Sequence, residues 1–150
     1  MANIHAIRAT ENRDEAEVRQ AIEDFAQAFR AKDLQGILSC YAPRIVAFDL
    51  MPPLQHSGIA AWRTVWKKSL PMMTGDITFE FSDLNIDVSG NLAVCHGLNH
   101  FMMKNGEAVD MWIRWTGAFR KIDGKWLVTH EHTSVPSDMD SGKALMDLKP

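Results

Sequence analysis

Apolar and polar residues alternate with period two along most of the second half of the chain, the signature of strands with one buried face. The pattern is clearest over Asp110–Pro136, DMWIRWTGAFRKIDGKWLVTHEHTSVP. In its first arm Met111, Ile113, Trp115, Gly117 and Phe119 share one face, and Asp110, Trp112, Arg114, Thr116 and Arg120 the other. In its second arm Trp126, Val128, His130, His132 and Ser134 alternate with Leu127, Thr129, Glu131, Thr133 and Val135. Asp123-Gly124 between the arms is a hairpin signal, because tight two-residue turns need positive φ. Upstream, Ile77, Phe79 and Phe81 lie on one parity and Leu84, Ile86 and Val88 on the other, which predicts a β-bulge near Ser82-Asp83. Ser89-Gly90-Asn91 then turns the chain into a strand over Leu92 to Lys104, and Asn105-Gly106 is a further hairpin signal.

The first half has helical spacing instead. Val18, Ile22, Phe25, Ala26 and Phe29 form one apolar stripe behind a capping box of Asn12 and Glu15. Phe25 and Phe29 serve either as plain core or as the wall of a ligand pocket. Asp33 caps a second helix with Leu34, Ile37, Leu38 and Tyr41 on its buried side, ended by Pro43. Ile45 to Phe48 is a short strand-like run, followed by Asp49 and the breaker Pro52-Pro53. Ser57 caps a third helix that runs to about Leu70 and carries Ile59, Trp62, Val65 and Trp66. Helices followed by a meander make an α+β fold, with the helices covering one sheet face. Residues 1–11 read as a flexible lead, 12–136 as one domain and 137–150 as a polar tail.

Composition narrows the partners. The net charge is −3 without a concentrated basic block, which argues against nucleic acid. No run reaches the ~20 apolar residues of a membrane span, and the start lacks a signal-peptide core. Cys40 and Cys95 read as buried thiols in a reducing cytoplasm. The chain has no Gly-x-Ser-x-Gly elbow, phosphate loop or dinucleotide fingerprint. His130/His132 and His96/His100 have the i, i+2 spacing of strand-borne metal ligands. The Arg114 strand lies between the two pairs in a meander, so a polar, dimer-facing surface is preferred to a metal site.

The ending Gly124-Lys125-Trp126-Leu127-Val128-Thr129-His130-Glu131-His132-Thr133-Ser134-Val135-Pro136 resembles the closing strand of SnoaL-like domains and of the association domain of calcium/calmodulin-dependent kinases. Cys40-Tyr41-Ala42-Pro43 and Val46-Ala47-Phe48-Asp49, followed by Ser57-Gly58 and a Trp-rich helix, resemble the matching segment of ketosteroid isomerases. The resemblance implies the nuclear-transport-factor-2-like (cystatin-like) fold, a cone-shaped curved antiparallel sheet wrapped around N-terminal helices. It also implies an apolar pocket for a small hydrophobic ligand, no cofactor, and homodimers paired through the outer sheet face. Asp49 falls on the isomerases' catalytic base. Their oxyanion-hole tyrosine falls on Phe25, and their protonated aspartate on or beside Trp115, neither of which supplies an acidic donor. The three pocket arginines of the kinase association domain fall on Asn99, Gly117 and Thr133.

The Asp123-Gly124 turn decides which face of the second arm is interior. A two-residue loop pairs Ile122 with Lys125 and turns Val128, His130 and His132 inward. A three-residue loop pairs Lys121 with Lys125 and turns Leu127, Thr129, Glu131 and Thr133 inward. The family alignment favours the second. The interior then holds Asp49, Asn99, Glu131 and Thr133 among Phe25, Phe29, Trp62 and Trp115. Asp49 is the candidate general base, its pKa raised by apolar surroundings. Asn99 or Glu131 orients the substrate and the tryptophans stack on it. The expected function is cofactor-independent acid–base catalysis of the isomerase, cyclase or hydrolase type on a hydrophobic or polyketide-like molecule. The alternative is a non-catalytic dimeric module that binds a ligand or partner, in which Asp49 caps its loop and Glu131 pairs with a cation.

Overall fold

The structure is a computed structural model and describes residues 4–105 and 107–150. A long helix α1 (Ile4–Arg30) and a short helix α2 (Leu34–Ser39) lead into strand β1 (Tyr41–Phe48). The two-residue strand β2 (His56–Ser57), helix α3 (Ile59–Ser69) and a 3-10 turn (Leu70–Met72) follow. Four long strands complete the chain: β3 (Ile77–Ser89), β4 (Leu92–Asn105), β5 (Glu107–Ile122) and β6 (Lys125–Ser134). The six strands form one sheet in the order β2-β1-β6-β5-β4-β3. It is mixed rather than wholly antiparallel, because β1 runs parallel to β6. That pairing places the end of β1 beside the end of β6 and so brings two distant segments to one site.

The helices differ from the sequence expectation at their starts. α1 is continuous from Ile4, so Asn12 lies within the helix instead of capping it, and the expected lead is helical from that point. Asp33 caps α2 as expected, its carboxylate accepting from Gln35 N at 3.1 Å. Tyr41 and Pro43 belong to β1 rather than to α2 or its stop, since α2 ends at Ser39. Gly58, at φ 83°, occupies the N-cap of α3, and Ser57 pairs with Val46 in β2 instead. The Asn105-Gly106 signal joins β4 to β5 as paired strands, with Gly106 itself outside the described residues.

One face of the sheet packs on α1 through a core that includes Val18, Ile22, Phe29, Phe79, Phe119 and Val128. Side chains tie the helix down at its middle and at its C-terminal end. Lys121 Nζ donates to Asp14 at 2.8 Å and to Glu17 at 2.6 Å, and Arg30 donates to the Phe79 carbonyl at 2.8 Å. The expected bulge in β3 is present. The β3–β4 register shifts between Ser82 and Asn85, and Asp83 has φ 52°.

The β5–β6 hairpin closes with the two-residue loop, Ile122 pairing with Lys125, so the three-residue reading is overturned. Asp123 and Gly124 have φ of 50° and 77°, the backbone a type I′ turn requires. Trp126 and Val128 are therefore the buried residues at the start of β6, and Leu127 and Thr129 are not. A second bulge then intervenes, with Phe119 opposite Val128 but Ala118 opposite His130. The extra residue, Thr129, reverses the parity, so Glu131 and Thr133 share the inner face after all. Gly124 has open space around its α-carbon, so Gly124→Ala meets no steric contact but keeps the positive φ. Urea unfolding should report a loss of about 1–2 kcal/mol, the cost of a Cβ in the left-handed region.

Candidate functional site

Glu131 is the centre of the inner face. It is buried at 8% exposure, and among the described residues it has no ion-pair partner. Two neutral donors hold it instead. The Tyr41 hydroxyl donates to Oε1 at 2.9 Å and the Trp115 indole to Oε2 at 3.3 Å. Burial raises its pKa from the ordinary 4.5 to about 7, against the lowering effect of those two bonds, and the nearby Asp49 charge pushes in the same direction as burial. Tyr41 is itself wholly buried, and burial followed by the Glu131 charge lifts its pKa well above the ordinary range.

Small residues make room for this arrangement. Glu131 pairs with Gly117 on β5 and with Ala47 on β1, and the Trp115 ring occupies the space over Gly117. A Cβ built on Gly117 would lie 2.7 Å from Trp115 Cη2 and nearer still to Cζ2. The enclosed space beside Glu131 is about 10 Å³, and Phe25, Tyr41, Phe81, Trp115 and Phe119 are among its walls. That volume is at the lower limit for a single water molecule. The space beside Glu131 is therefore close to filled by side chains.

Asp49 follows the last residue of β1, half-buried, and accepts from the Thr133 hydroxyl at 3.1 Å. Its position comes from the parallel β1–β6 register, in which Ala47 faces Glu131 and Phe48 faces His132. Asp49 is not part of the cavity wall but sits one step further toward the end of the sheet. The adjoining loop exposes Met51 at 62% and Leu54 at 96%, which gives this end an apolar rim.

The other candidates divide. Phe25 borders the cavity and meets the Tyr41 ring edge-on at 5.9 Å. Phe29 is core, packed between Phe79 at 4.8 Å and Trp66 at 5.4 Å. Trp62 is buried against Tyr41 at 6.0 Å, its N–H close enough to lower the Tyr41 pKa but short of hydrogen-bond geometry. Asn99 is buried between Phe81 and Ile113 in the sheet, with its Oδ1 unpartnered. The histidines are spread apart. His100 contacts Asp110 at 2.8 Å and stacks on Trp112, His130 contacts the Val46 carbonyl at 2.8 Å, and His132 is exposed. Among the described residues no group of three or more His, Cys, Asp or Glu side chains is placed to hold a metal.

Tyr41 and His56 are buried near this site although the sequence pattern does not point to either of them. Tyr41 fits the buried side of a helix by spacing, although as the single tyrosine of the chain beside an apolar run it carries a signal. His56 lies in a two-residue strand that no periodicity can reveal. No helix among the described residues is long and apolar enough to cross a membrane.

Comparison with solved structures finds an NTF2-like protein of unknown function from Pseudomonas putida at 40% identity and TM-score 0.86, covering 93% of this chain and 98% of that one. An NTF2-like protein with a cystatin-like fold from Novosphingobium aromaticivorans has 13% identity and TM-score 0.78, covering 95% and 96%. A ketosteroid isomerase-like protein from Erwinia carotovora atroseptica has 18% identity and TM-score 0.71, covering 82% and 96%. The last two share the fold alone. Comparison with curated proteins gives no match. The SnoaL-like domain family matches residues 18–138, and with the curved mixed sheet and its covering helices this chain belongs to that family.

Proposed function

We propose that the protein binds a small hydrophobic, polyketide-like molecule at the Asp49 end of its interior and catalyses proton transfer on it without a cofactor. The observation that carries this reading is the buried Glu131 carboxyl, lifted to about 7 and coupled to the Asp49 charge next to it. A carboxyl near 7 exchanges protons readily at neutral pH, whereas an ordinary one is fully ionised there. In this reading Asp49 takes the proton from the substrate as general base. Glu131 supplies or stores a proton, with Tyr41 and Trp115 fixing its orientation. Thr133 positions Asp49, Asn99 offers its free Oδ1 to a donor on the substrate, and Phe25, Trp62 and Trp115 supply apolar area.

The test is α-proton exchange of hydrophobic 1,3-dicarbonyl compounds in D2O, followed by NMR. The protein should accelerate exchange, and Asp49→Asn should reduce that acceleration by roughly 100-fold or more. Exchange by Asp49→Asn at the wild-type rate would eliminate Asp49 as the base.

The second reading, a non-catalytic dimeric module, is favoured by one observation: the space beside Glu131 is only about 10 Å³. In that case the outer sheet face, where Phe48, Leu92 and Val94 are exposed, pairs with a second copy and the interior is core. Absence of exchange with every dicarbonyl, together with a dimer in sedimentation, would favour it. Both cysteines are unpaired, in keeping with a reducing cytoplasm.

A further inference from the structure

On the outer face of the sheet the strand pairings line side chains up in rows across β3, β4, β5 and β6. One row is Asp87, Val94, Ala118 and His130, and the next is Asn85, His96, Thr116 and His132. Val94 is 50% exposed and Leu92, beyond it on β4, is 43% exposed, so the middle of this face is apolar and open. The charges are sorted by strand. β3 presents the exposed carboxylates of Glu80 and Asp87, whereas Arg114 and Arg120 lie on β5 and His130 and His132 on β6. Asp110 on β5 departs from this sorting, and Lys149 of the tail neutralises it at 2.6 Å. Among the described residues Glu80, Asp87, Arg114 and Arg120 have no ion-pair partner.

Such a face is complementary to itself in one orientation. A two-fold axis running along the strands, between β4 and β5, exchanges β3 with β6 and β4 with β5 and keeps every row at its own level. Asp87 of one copy then meets His130 of the other and Val94 meets Ala118, each contact being made twice. Within one copy Asp87 and His130 are three strand spacings apart, roughly 14 Å, so only a second copy brings them together. An axis across the strands lays β3 on β3 instead, and the carboxylates of the two copies repel.

His130 is prepared for this contact. A carbonyl oxygen only accepts, so the 2.8 Å contact with the Val46 carbonyl holds a proton on Nδ1. Nε2 of the neutral ring is then an acceptor and offers nothing to a carboxylate, whereas in the imidazolium it is a charged donor. From β1 the ring is faced by uncharged Val46 and by Phe48, edge-on at 4.8 Å. The titratable or charged groups on its side of the sheet are His132 on β6, Arg114 and Arg120 on β5, and His96 on β4. The carboxylate of its row is Asp87 on β3.

We propose that two copies pair through the outer sheet face about an axis along the strands, joined by two symmetric Asp87–His130 contacts that form when the histidine is protonated. The inference rests on the reading of that face as the contact with a second copy, and adds the orientation of the pair and its response to pH. Association takes up the proton, so the dimer tightens as pH falls and loosens as pH rises through the range in which histidine changes charge.

Sedimentation equilibrium from pH 5.5 to 8.5 tests this. The dimer dissociation constant should rise roughly tenfold or more across the interval, the scale of a hydrogen bond to a charged group. Asp87→Asn should flatten that dependence and still dimerise. At pH 6, Asp87→Lys and His130→Glu should each dimerise at least tenfold more weakly than the wild type, by the cost of facing like charges. Their equimolar mixture should recover wild-type association, because the heterodimer holds one native pair and one reversed pair. A dimer that keeps its affinity at every pH and in Asp87→Lys would overturn the proposal and leave the outer-face dimer standing, as would a mixture no tighter than its components. A monomer at every pH would overturn the proposal together with the dimer reading. If His130→Glu does not fold, the wild-type and Asp87→Asn profiles decide, and parallel profiles for the two would overturn the contact.

Discussion

Glu131→Gln is expected to be more stable than the wild-type protein at pH 8 by about 3 kcal/mol and nearly equal to it at pH 4.5. The sign follows from proton linkage. The folded-state pKa of Glu131, about 7, lies above its ordinary value of 4.5, so between those values the native state binds more protons than the unfolded one. Stability contributed by the protonated carboxyl is therefore fully present below pH 4.5 and is lost as pH rises through 7. The interval between 4.5 and about 7, at roughly 1.4 kcal/mol per pH unit, corresponds to about 3 kcal/mol. Glutamine keeps an acceptor for Tyr41 or Trp115 and cannot ionise, so its stability should not fall across this window.

Urea unfolding of both proteins from pH 4.5 to 8.5 measures the difference directly, and taking the difference removes the contributions of other titrating groups. Parallel curves for the two proteins would show that Glu131 is not desolvated. Asp49→Asn offers an internal check. Removing the neighbouring negative charge takes away one of the influences that raise Glu131, so the midpoint of the wild-type decline should move to lower pH.

The second large effect is expected from Gly117→Ala, in the strand that faces Glu131. The new methyl would overlap two carbons of the Trp115 ring and lie 3.2 Å from Phe119 Cε2. Both rings are buried, so neither can swing into solvent. Overpacking of this kind costs about 1–3 kcal/mol, and the entropic gain of replacing glycine, roughly 0.4–1 kcal/mol, does not cancel it. A displaced Trp115 also releases Glu131 Oε2 from its 3.3 Å hydrogen bond. Since that bond lowers the Glu131 pKa, its loss should move the stability decline to higher pH, opposite to Asp49→Asn. Denaturation and the pH dependence of tryptophan emission read the two consequences separately. A variant as stable as wild type with an unchanged pH profile would mean that the sheet yields at this position and that the contact does not constrain the ring.

Glu131 reaches the inner face through a register other than the one expected from the sequence. Its interior position was expected from a three-residue loop, but the loop has two residues, and the bulge at Thr129 restores the parity. A bulge in the middle of a run such as Val128-Thr129-His130 has no turn residue to announce it. By contrast, the bulge near Ser82-Asp83 is visible because the apolar parity itself changes there. Asp49 and Thr133 are separate candidates in the sequence, and the parallel β1–β6 pairing joins them, a connection that strand patterns alone do not specify.

The chain's own sequence determined the α+β class, the four long strands, the Asp33 cap, the β3 bulge and the chemistry of the Asp123-Gly124 turn. These are local properties, set by side-chain period and by the backbone angles that individual residues tolerate. Only the tertiary structure decided that Glu131 has Tyr41, 90 positions away, as its donor, and that His56 lies in one row with Ala47 and Glu131 through a two-residue strand. A carboxyl's burial and the pKa that follows from it depend on what packs around it from other elements. That information is absent from any short window of sequence, and it is what turns a patterned hairpin into a candidate site.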